Sequence, residues 1–135
     1  MIVVDTSVAV AAALPWHESH RSAHAALPRT KTRLLAQVGI ETYSVLTRLP
    51  PPQRVPVSIA REYLGKTFSF PVIALPADGY EQLLDVATAE GIAGGALYDA
   101  LVGATAAVAR ATLLTLDRRA VPAYQLVGAD FRLVD

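Results

Sequence analysis

The chain contains no cysteine. It can therefore hold no disulfide, no thiolate nucleophile and no zinc site built on cysteine, and we expect a cytoplasmic protein. The chain also has no net charge, because its twelve basic and twelve acidic side chains cancel. Nucleic acid would thus not be held by a general cationic field, and any such contact must be local or assisted by a metal ion.

Long uncharged stretches are absent as well. No such run reaches the ~18 residues of a membrane span. The apolar N-terminus resembles a secretory signal only superficially, since it has no basic residues at its start and carries Asp5 where the apolar stretch should begin. We therefore expect neither insertion into a membrane nor secretion.

What the chain has in abundance is apolar side chains. Hydrophobic residues make up 53% of its 135 residues and charged residues 18%. This composition excludes a disordered chain, and the length predicts a single domain over residues 1–135. The apolar content exceeds what a monomer of this size can bury, so we expect part of it to face a partner.

Short apolar runs alternate with stretches of helical periodicity. Strands are predicted at residues 1–4, 33–36, 71–75, 112–116 and, at an edge, 132–134. Helices are predicted at residues 8–14, 17–27, 37–48, 57–66, 78–90 and 96–110. Strands separated by helices pair in parallel, so the pattern predicts a three-layer α/β/α sandwich with a central parallel sheet. Sites in such folds gather at the carboxyl ends of the strands.

Four acidic residues stand apart from the others. Asp5 is the only charged residue among 1–17, Glu41 the only one between Arg33 and Arg48, and Asp99 the only one between Glu90 and Arg110. The fourth, Asp117, follows a predicted strand whose end should lie near Asp5. Carboxylates embedded in apolar sequence are costly unless they are paired or bind a metal ion.

A purely structural role remains open for some of these acids. Asp5 and Asp117 each precede a turn or helix and could serve only as N-caps. Glu41 and Asp99 are harder to explain in this way. Aspartate is a poor helix former, and no Lys or Arg lies three or four residues from Asp99 to pair with it.

Electrostatics favours a metal ion if the four acids meet. Two carboxylates about 5 Å apart repel by about 3 kcal/mol at an effective dielectric constant of about 20, so four together would cost on the order of 20 kcal/mol. Protons or divalent cations must offset this cost, and oxygen ligands suit Mg²⁺ or Mn²⁺. Such a site can hydrolyse phosphodiesters by activating a water and neutralising the phosphate.

The motifs around these acids resemble a known family. VDTS at residues 4–7, IETYSVLTRLP at 40–50, GGALYDAL at 94–101 and TLDRR at 115–119 are similar to the PIN-domain nucleases, and more narrowly to the VapC toxins of bacterial toxin–antitoxin pairs. The resemblance covers essentially the whole chain. It implies an endoribonuclease dependent on Mg²⁺ or Mn²⁺ that inhibits translation by cutting structured RNA such as tRNA or rRNA. It also implies a VapB-like antitoxin that blocks the site, and a homodimer.

The same resemblance implies roles for individual residues. Asp5 and Asp99 correspond to the principal metal ligands, and Glu41 and Asp117 to the acids that complete the metal site or handle the attacking water. Thr115 and Ser7 correspond to hydroxyl residues that support these acids.

Several other polar residues allow more than one interpretation. His17, His20 and His24 could lie on one helix face and bind zinc, although a solvated helix or a contact with RNA or antitoxin is favoured. The basic residues of 29–33 fit a solvated surface, whereas Arg118 and Arg119 follow the fourth acid and could contact RNA phosphates. Gly94 and Gly95 fit a helix entry better than a phosphate loop, since no P-loop lysine follows them.

Two other functions remain as alternatives. A receiver-like phosphoacceptor domain also clusters acids at strand ends, but it would have an acidic doublet near the first strand and a lysine near the last, and the only lysines are Lys31 and Lys66. A non-catalytic PIN-fold binding module would act through a protein partner alone. Retention of growth arrest by Asp99→Asn would favour that module over the enzyme.

Overall fold

The structure is a computed structural model that describes residues 1–135. Its five strands are β1 (Ile2–Val4), β2 (Thr32–Leu35), β3 (Phe68–Ile73), β4 (Thr112–Thr115) and β5 (Asp130–Leu133). Its helices are α1 (Thr6–Ala13), α2 (His20–Ala26), α3 (Ala36–Thr47), α4 (Val57–Thr67), α5 (Ala77–Glu90), α6 (Ala96–Val108) and α7 (Val121–Leu126). None of the helices has the length and apolar character needed to cross a membrane.

All strand pairs are parallel. β4 lies between β1 and β5, and β2 pairs with β3. β1 and β2 are neighbours joined by the Thr32 hydroxyl, which donates a hydrogen bond to the Ile2 carbonyl. The strands therefore form two parallel sheets, β1-β4-β5 and β2-β3, which lie next to each other along β1 and β2. The predicted parallel sheet flanked by helices is confirmed.

The main core forms where the central strands meet the helices. Val3, Leu34 and Leu113 are at most 2% exposed and pack with Val8 of α1 and Val102 of α6. Residues on both faces of the central strands are apolar because helices cover both faces of the sheet. The core thereby fixes the carboxyl ends of β1 and β4 side by side.

The structure corrects several predicted boundaries. The third strand begins at Phe68 rather than at residue 71, because Pro71 is tolerated in a strand that is paired on one side only. Helix α2 begins at His20, so His17 lies in the preceding turn. The sequence interpretation placed no helix after Asp117, yet α7 starts there with Pro122 in its first turn, where proline fits a helix.

Candidate active site

The four acids that the sequence singled out lie on or next to four different elements and line one cleft. Asp5 joins β1 to α1, and Asp117 follows β4. Glu41 lies in α3 and Asp99 in the first turn of α6. The cleft has a volume of about 680 Å³ and includes all four side chains in its lining. The parallel sheet thus brings together carboxylates that are up to 112 residues apart in sequence, from Asp5 to Asp117.

Asp5 is the most deeply buried of the four, with 4% of its surface exposed. Its Oδ1 accepts hydrogen bonds from the Ser7 hydroxyl and, at 3.2 Å, from the backbone N–H of Val8. Its Oδ2 accepts one from the Tyr124 hydroxyl at 2.8 Å. Burial raises the pKa of Asp5, and these donors, together with the Thr115 hydroxyl, oppose the rise because they stabilise the ionised carboxylate.

Asp99 is the acid on which the mutual repulsion of the cluster is most evident. Burial, followed by the negative charges of Asp117, Glu41 and Asp5, raises its pKa to about 6. The cationic Arg119 opposes the rise. The basic neighbour that the local sequence of Asp99 lacks is therefore supplied by another element.

Asp117 acts as an N-cap and also lines the cleft. Its Oδ1 accepts a hydrogen bond from the backbone N–H of Arg119 at 2.9 Å, at the start of a short 3-10 turn. Its own backbone N–H donates to the Thr115 hydroxyl at 3.0 Å. Asp5 caps α1 in the same way through Val8. Both capping interpretations are thus true of these acids, and neither prevents their carboxylates from facing a shared site.

Glu41 is less isolated in three dimensions than it is in sequence. Its Oε1 accepts a hydrogen bond from the Gln37 amide at 2.7 Å, and its Oε2 accepts one from the Thr6 hydroxyl at 3.3 Å. Ile40 beside it is 73% exposed, so the apolar surroundings expected from the sequence are partly solvent. The two donors orient the carboxylate of Glu41 and lower the cost of holding it in the cleft.

Ser7 connects the two central strand ends. Its hydroxyl donates to Asp5 and accepts a hydrogen bond from the backbone N–H of Leu116 at 2.9 Å. A single side chain therefore ties the residue after β1 to the segment that carries Asp117. Thr115 and Ser7 both contact the acids that they were expected to support.

The donor set of the cleft fits a hydrated divalent cation. All four acids offer hard oxygen ligands, and a cation would relieve the repulsion that raises the pKa of Asp99. No group of three or more Asp, Glu, His or Cys side chains is arranged so that it could hold a metal ion by itself. Mg²⁺ does not need such a group, because it commonly binds through one or two carboxylates and keeps several of its waters.

The structure adds residues that the sequence interpretation missed. Tyr124 lies beneath Asp5 and is 1% exposed. Burial and the charge of Asp5 raise the pKa of its phenol, so it stays a hydrogen-bond donor. Arg48, also without a role in the sequence interpretation, lines the cleft together with Arg119, which that interpretation did name, and both provide positive charge there. No motif in the sequence marked Tyr124. The only available signal was the general rule that a buried tyrosine hydroxyl requires a hydrogen-bond partner.

The three histidines do not form a zinc site. His17 lines the acidic cleft, and its Nδ1 accepts a hydrogen bond from the backbone N–H of Ser19 at 3.0 Å. His20 Nδ1 lies 2.9 Å from the Ala11 carbonyl, and His24 borders a different cleft. The expected helical face is lost because His17 precedes α2.

Comparisons with known proteins agree with this geometry. The PIN domain family model matches residues 2–124. Ribonuclease VapC40 of Mycobacterium tuberculosis is 47% identical over 134 residues, which cover 99% of each chain. Ribonuclease VapC27 of the same organism is 39% identical over 127 residues, covering 94% of this chain and 92% of the relative.

A solved structure shows the same fold. The crystal structure of FitAcB from Neisseria gonorrhoeae superimposes with a TM-score of 0.70 at 19% identity, over 97% of this chain and 96% of the other. Fold, family model and full-length relatives agree. The chain belongs to the PIN-domain family and, within it, to the VapC ribonucleases.

Proposed function

We propose that this protein is the toxin of a type II toxin–antitoxin pair and acts as an endoribonuclease dependent on Mg²⁺ or Mn²⁺. One observation carries the proposal. Four acids line one cleft, and burial together with the negative charges of the other three raises the pKa of Asp99 to about 6. A ribonuclease site of this kind requires such a concentration of negative charge to attract a divalent cation.

The protein side chains have distinct tasks in this proposal. Asp5 and Asp99 hold the cation, which when bound neutralises the scissile phosphate and lowers the pKa of a water. Glu41 and Asp117 complete the site or orient the attacking water, and Gln37 and Thr6 keep the Glu41 carboxylate in place. At neutral pH Asp99 is ionised and ready to bind a cation, because its pKa is about 6.

Substrate and partners follow from the family and from the surface. We propose structured RNA, tRNA or rRNA, as the substrate and inhibition of translation as its consequence, in the cytoplasm. A VapB-like antitoxin would cover the site, and two copies of the chain would form a homodimer. Exposed apolar side chains such as Ile40, Phe70 and Tyr98, 46–73% exposed, support the presence of such protein interfaces.

Asp99→Asn is the decisive substitution, with Asp85→Asn on exposed α5 as its matched control. We expect the wild-type protein and the control to cut RNA in Mg²⁺ or Mn²⁺ and to stop in EDTA, while Asp99→Asn cuts at a rate lower by at least about 10²-fold. Mapping new RNA 5′ ends after induction in cells identifies the substrate. Cleavage that persists in EDTA, or full activity of Asp99→Asn, would contradict the proposal. Growth arrest by an inactive Asp99→Asn protein would instead indicate a binding module.

A further inference from the structure

The protein has a second polar cleft at the opposite end of the sheet from the acids. It has a volume of about 500 Å³ and eight lining residues, of which one is hydrophobic. It borders the start of β2 and the end of α4, so it lies at the amino ends of the strands, whereas the acids lie at the carboxyl ends. Its lining includes the following potential cations: His24, Arg29, Lys31 and Lys66.

Helix α2 connects this basic cleft to the acidic one. His17, Glu18 and Ser19, just before the helix, line the acidic cleft. His24 in its last turn and Arg29 just beyond it line the basic cleft. With seven residues the helix is about 10 Å long. Exposed Arg21 and His24 lie on α2 itself, so one cationic and one polar side chain lie along the path between the clefts.

The contacts that these basic side chains make within the protein leave their charges available to bind an anion. The Lys31 ammonium donates to the Gly65 carbonyl at 3.2 Å, which holds the loop against the end of α4 without neutralising the charge. Lys66 pairs with Glu62, but the two side chains are 75% and 50% exposed, so the pairing is weak. Arg29 is exposed and has no acidic partner. Negative charge is concentrated elsewhere, since residues 73–109 carry five acids and no Lys or Arg.

We propose that the basic strip formed by Arg21, His24, Arg29, Lys31 and Lys66 binds the phosphate backbone of the RNA substrate away from the cleavage site. This inference rests on the proposed ribonuclease function. The acidic cleft repels RNA except where a cation or an arginine intervenes, so affinity must come from another surface.

An acidic peptide is the other polyanion that the strip could bind. Protein interfaces normally have a centre of hydrophobic residues, whereas only one of the eight residues that line this cleft is hydrophobic. The apolar groove between α3, α4 and β3, lined by Ile40, Phe70 and Val72 among others, is better suited to a protein chain. The composition of the basic cleft therefore favours RNA.

The test compares two double variants that remove the same charge. Arg29→Gln/Lys31→Gln alters the strip, and Arg110→Gln/Arg132→Gln removes two exposed cations elsewhere. Binding of an RNA stem-loop is measured over a salt series in the Asp99→Asn background, where no cleavage occurs. We expect the strip variant to bind about tenfold more weakly and its log–log salt slope to fall by about 2, while the control is unchanged.

Kinetics separates binding from chemistry. With Asp99 intact, the strip variant should have a raised KM for the stem-loop and an unchanged kcat. Equal losses in both double variants, or no loss in the strip variant, would overturn the proposal. So would unaltered RNA binding together with weakened binding of an acidic peptide. If the wild-type protein cut no RNA at all, the ribonuclease function would fail, while the binding measurement would still decide the role of the strip.

Discussion

Replacing Asp99 by asparagine should stabilise the protein while it abolishes activity. The folded state holds the Asp99 carboxyl at a pKa of about 6, against an ordinary value of 3.8. Since the folded pKa is the higher one, the folded chain binds this proton more tightly than the unfolded chain, and the wild-type protein loses stability as pH rises from 3.8 to about 6. Asparagine stays neutral at every pH and escapes this loss.

The size of the effect follows from the pKa. A rise from 3.8 to about 6 corresponds to about 3 kcal/mol between the protonated and ionised forms. Asp99 is only partly buried, and solvent screening reduces the usable figure to about 1–2 kcal/mol. For a domain of this size, that gain raises Tm by roughly 4–8 °C.

Thermal unfolding in EDTA at pH 4 and pH 8 measures the effect. The difference in Tm between Asp99→Asn and the wild-type protein should be near zero at pH 4 and reach its full value at pH 8. Asp85→Asn, on the exposed face of α5, should change stability by less than about 0.5 kcal/mol at both. A variant that is less stable than the wild-type protein at pH 8, or a gain that is the same at both pH values, would refute the reasoning.

Further substitutions test other contacts of the site. Tyr124→Phe removes the donor at 2.8 Å from Asp5 Oδ2, so denaturant unfolding should show a loss of about 1–3 kcal/mol. The pKa of Asp5 should rise, and the acidic limb of the pH–rate profile should move to higher pH; an unmoved limb would contradict this role. Gly103→Ala places a Cβ 2.8 Å from Val127 Cγ2 and 3.0 Å from Tyr124 Cδ1, which should cost about 1–3 kcal/mol by the same assay. Gly95→Ala meets no atom within 4 Å and serves as its control; equal stability of the two variants would show that α6 and α7 pack less closely. Mg²⁺ should raise the Tm of the wild-type protein and not that of Asp99→Asn, and equal shifts would argue against Asp99 as a ligand.

The strands next to the site were the most predictable elements. β1 is an apolar run followed directly by Asp5, and β4 is a mostly buried run of Thr and Leu that ends two residues before Asp117, a pattern typical of buried parallel strands. The third strand and α7 were misplaced or missed, because each contains a proline whose effect depends on position. Pro71 is acceptable only because β3 lies at an edge, and Pro122 only because it starts a helix.

The environments of the acids were less predictable than their identity. Isolation in sequence singled out Glu41, but Gln37 and Thr6 satisfy both of its oxygens. The histidine spacing suggested one helix face, yet a turn directs His17 to the acidic cleft and α2 carries His24 toward the basic one. These outcomes depend on where a helix begins, and the local sequence determines that only to within a few residues.

The amino-acid sequence was sufficient to predict the parallel α/β fold and to single out the four acids, because strand-forming runs and charge spacing are local features of the chain. The resemblance to the family likewise rested on short local motifs around those acids. The three-dimensional arrangement was needed to show which acid has its pKa raised by the other carboxylates and which groups stabilise the ionised acids. The Tyr124 hydroxyl reaches Asp5 across 119 residues, and Arg119 approaches Asp99 from another element. Burial and Coulomb interactions depend on distance in space, which the order of residues does not contain.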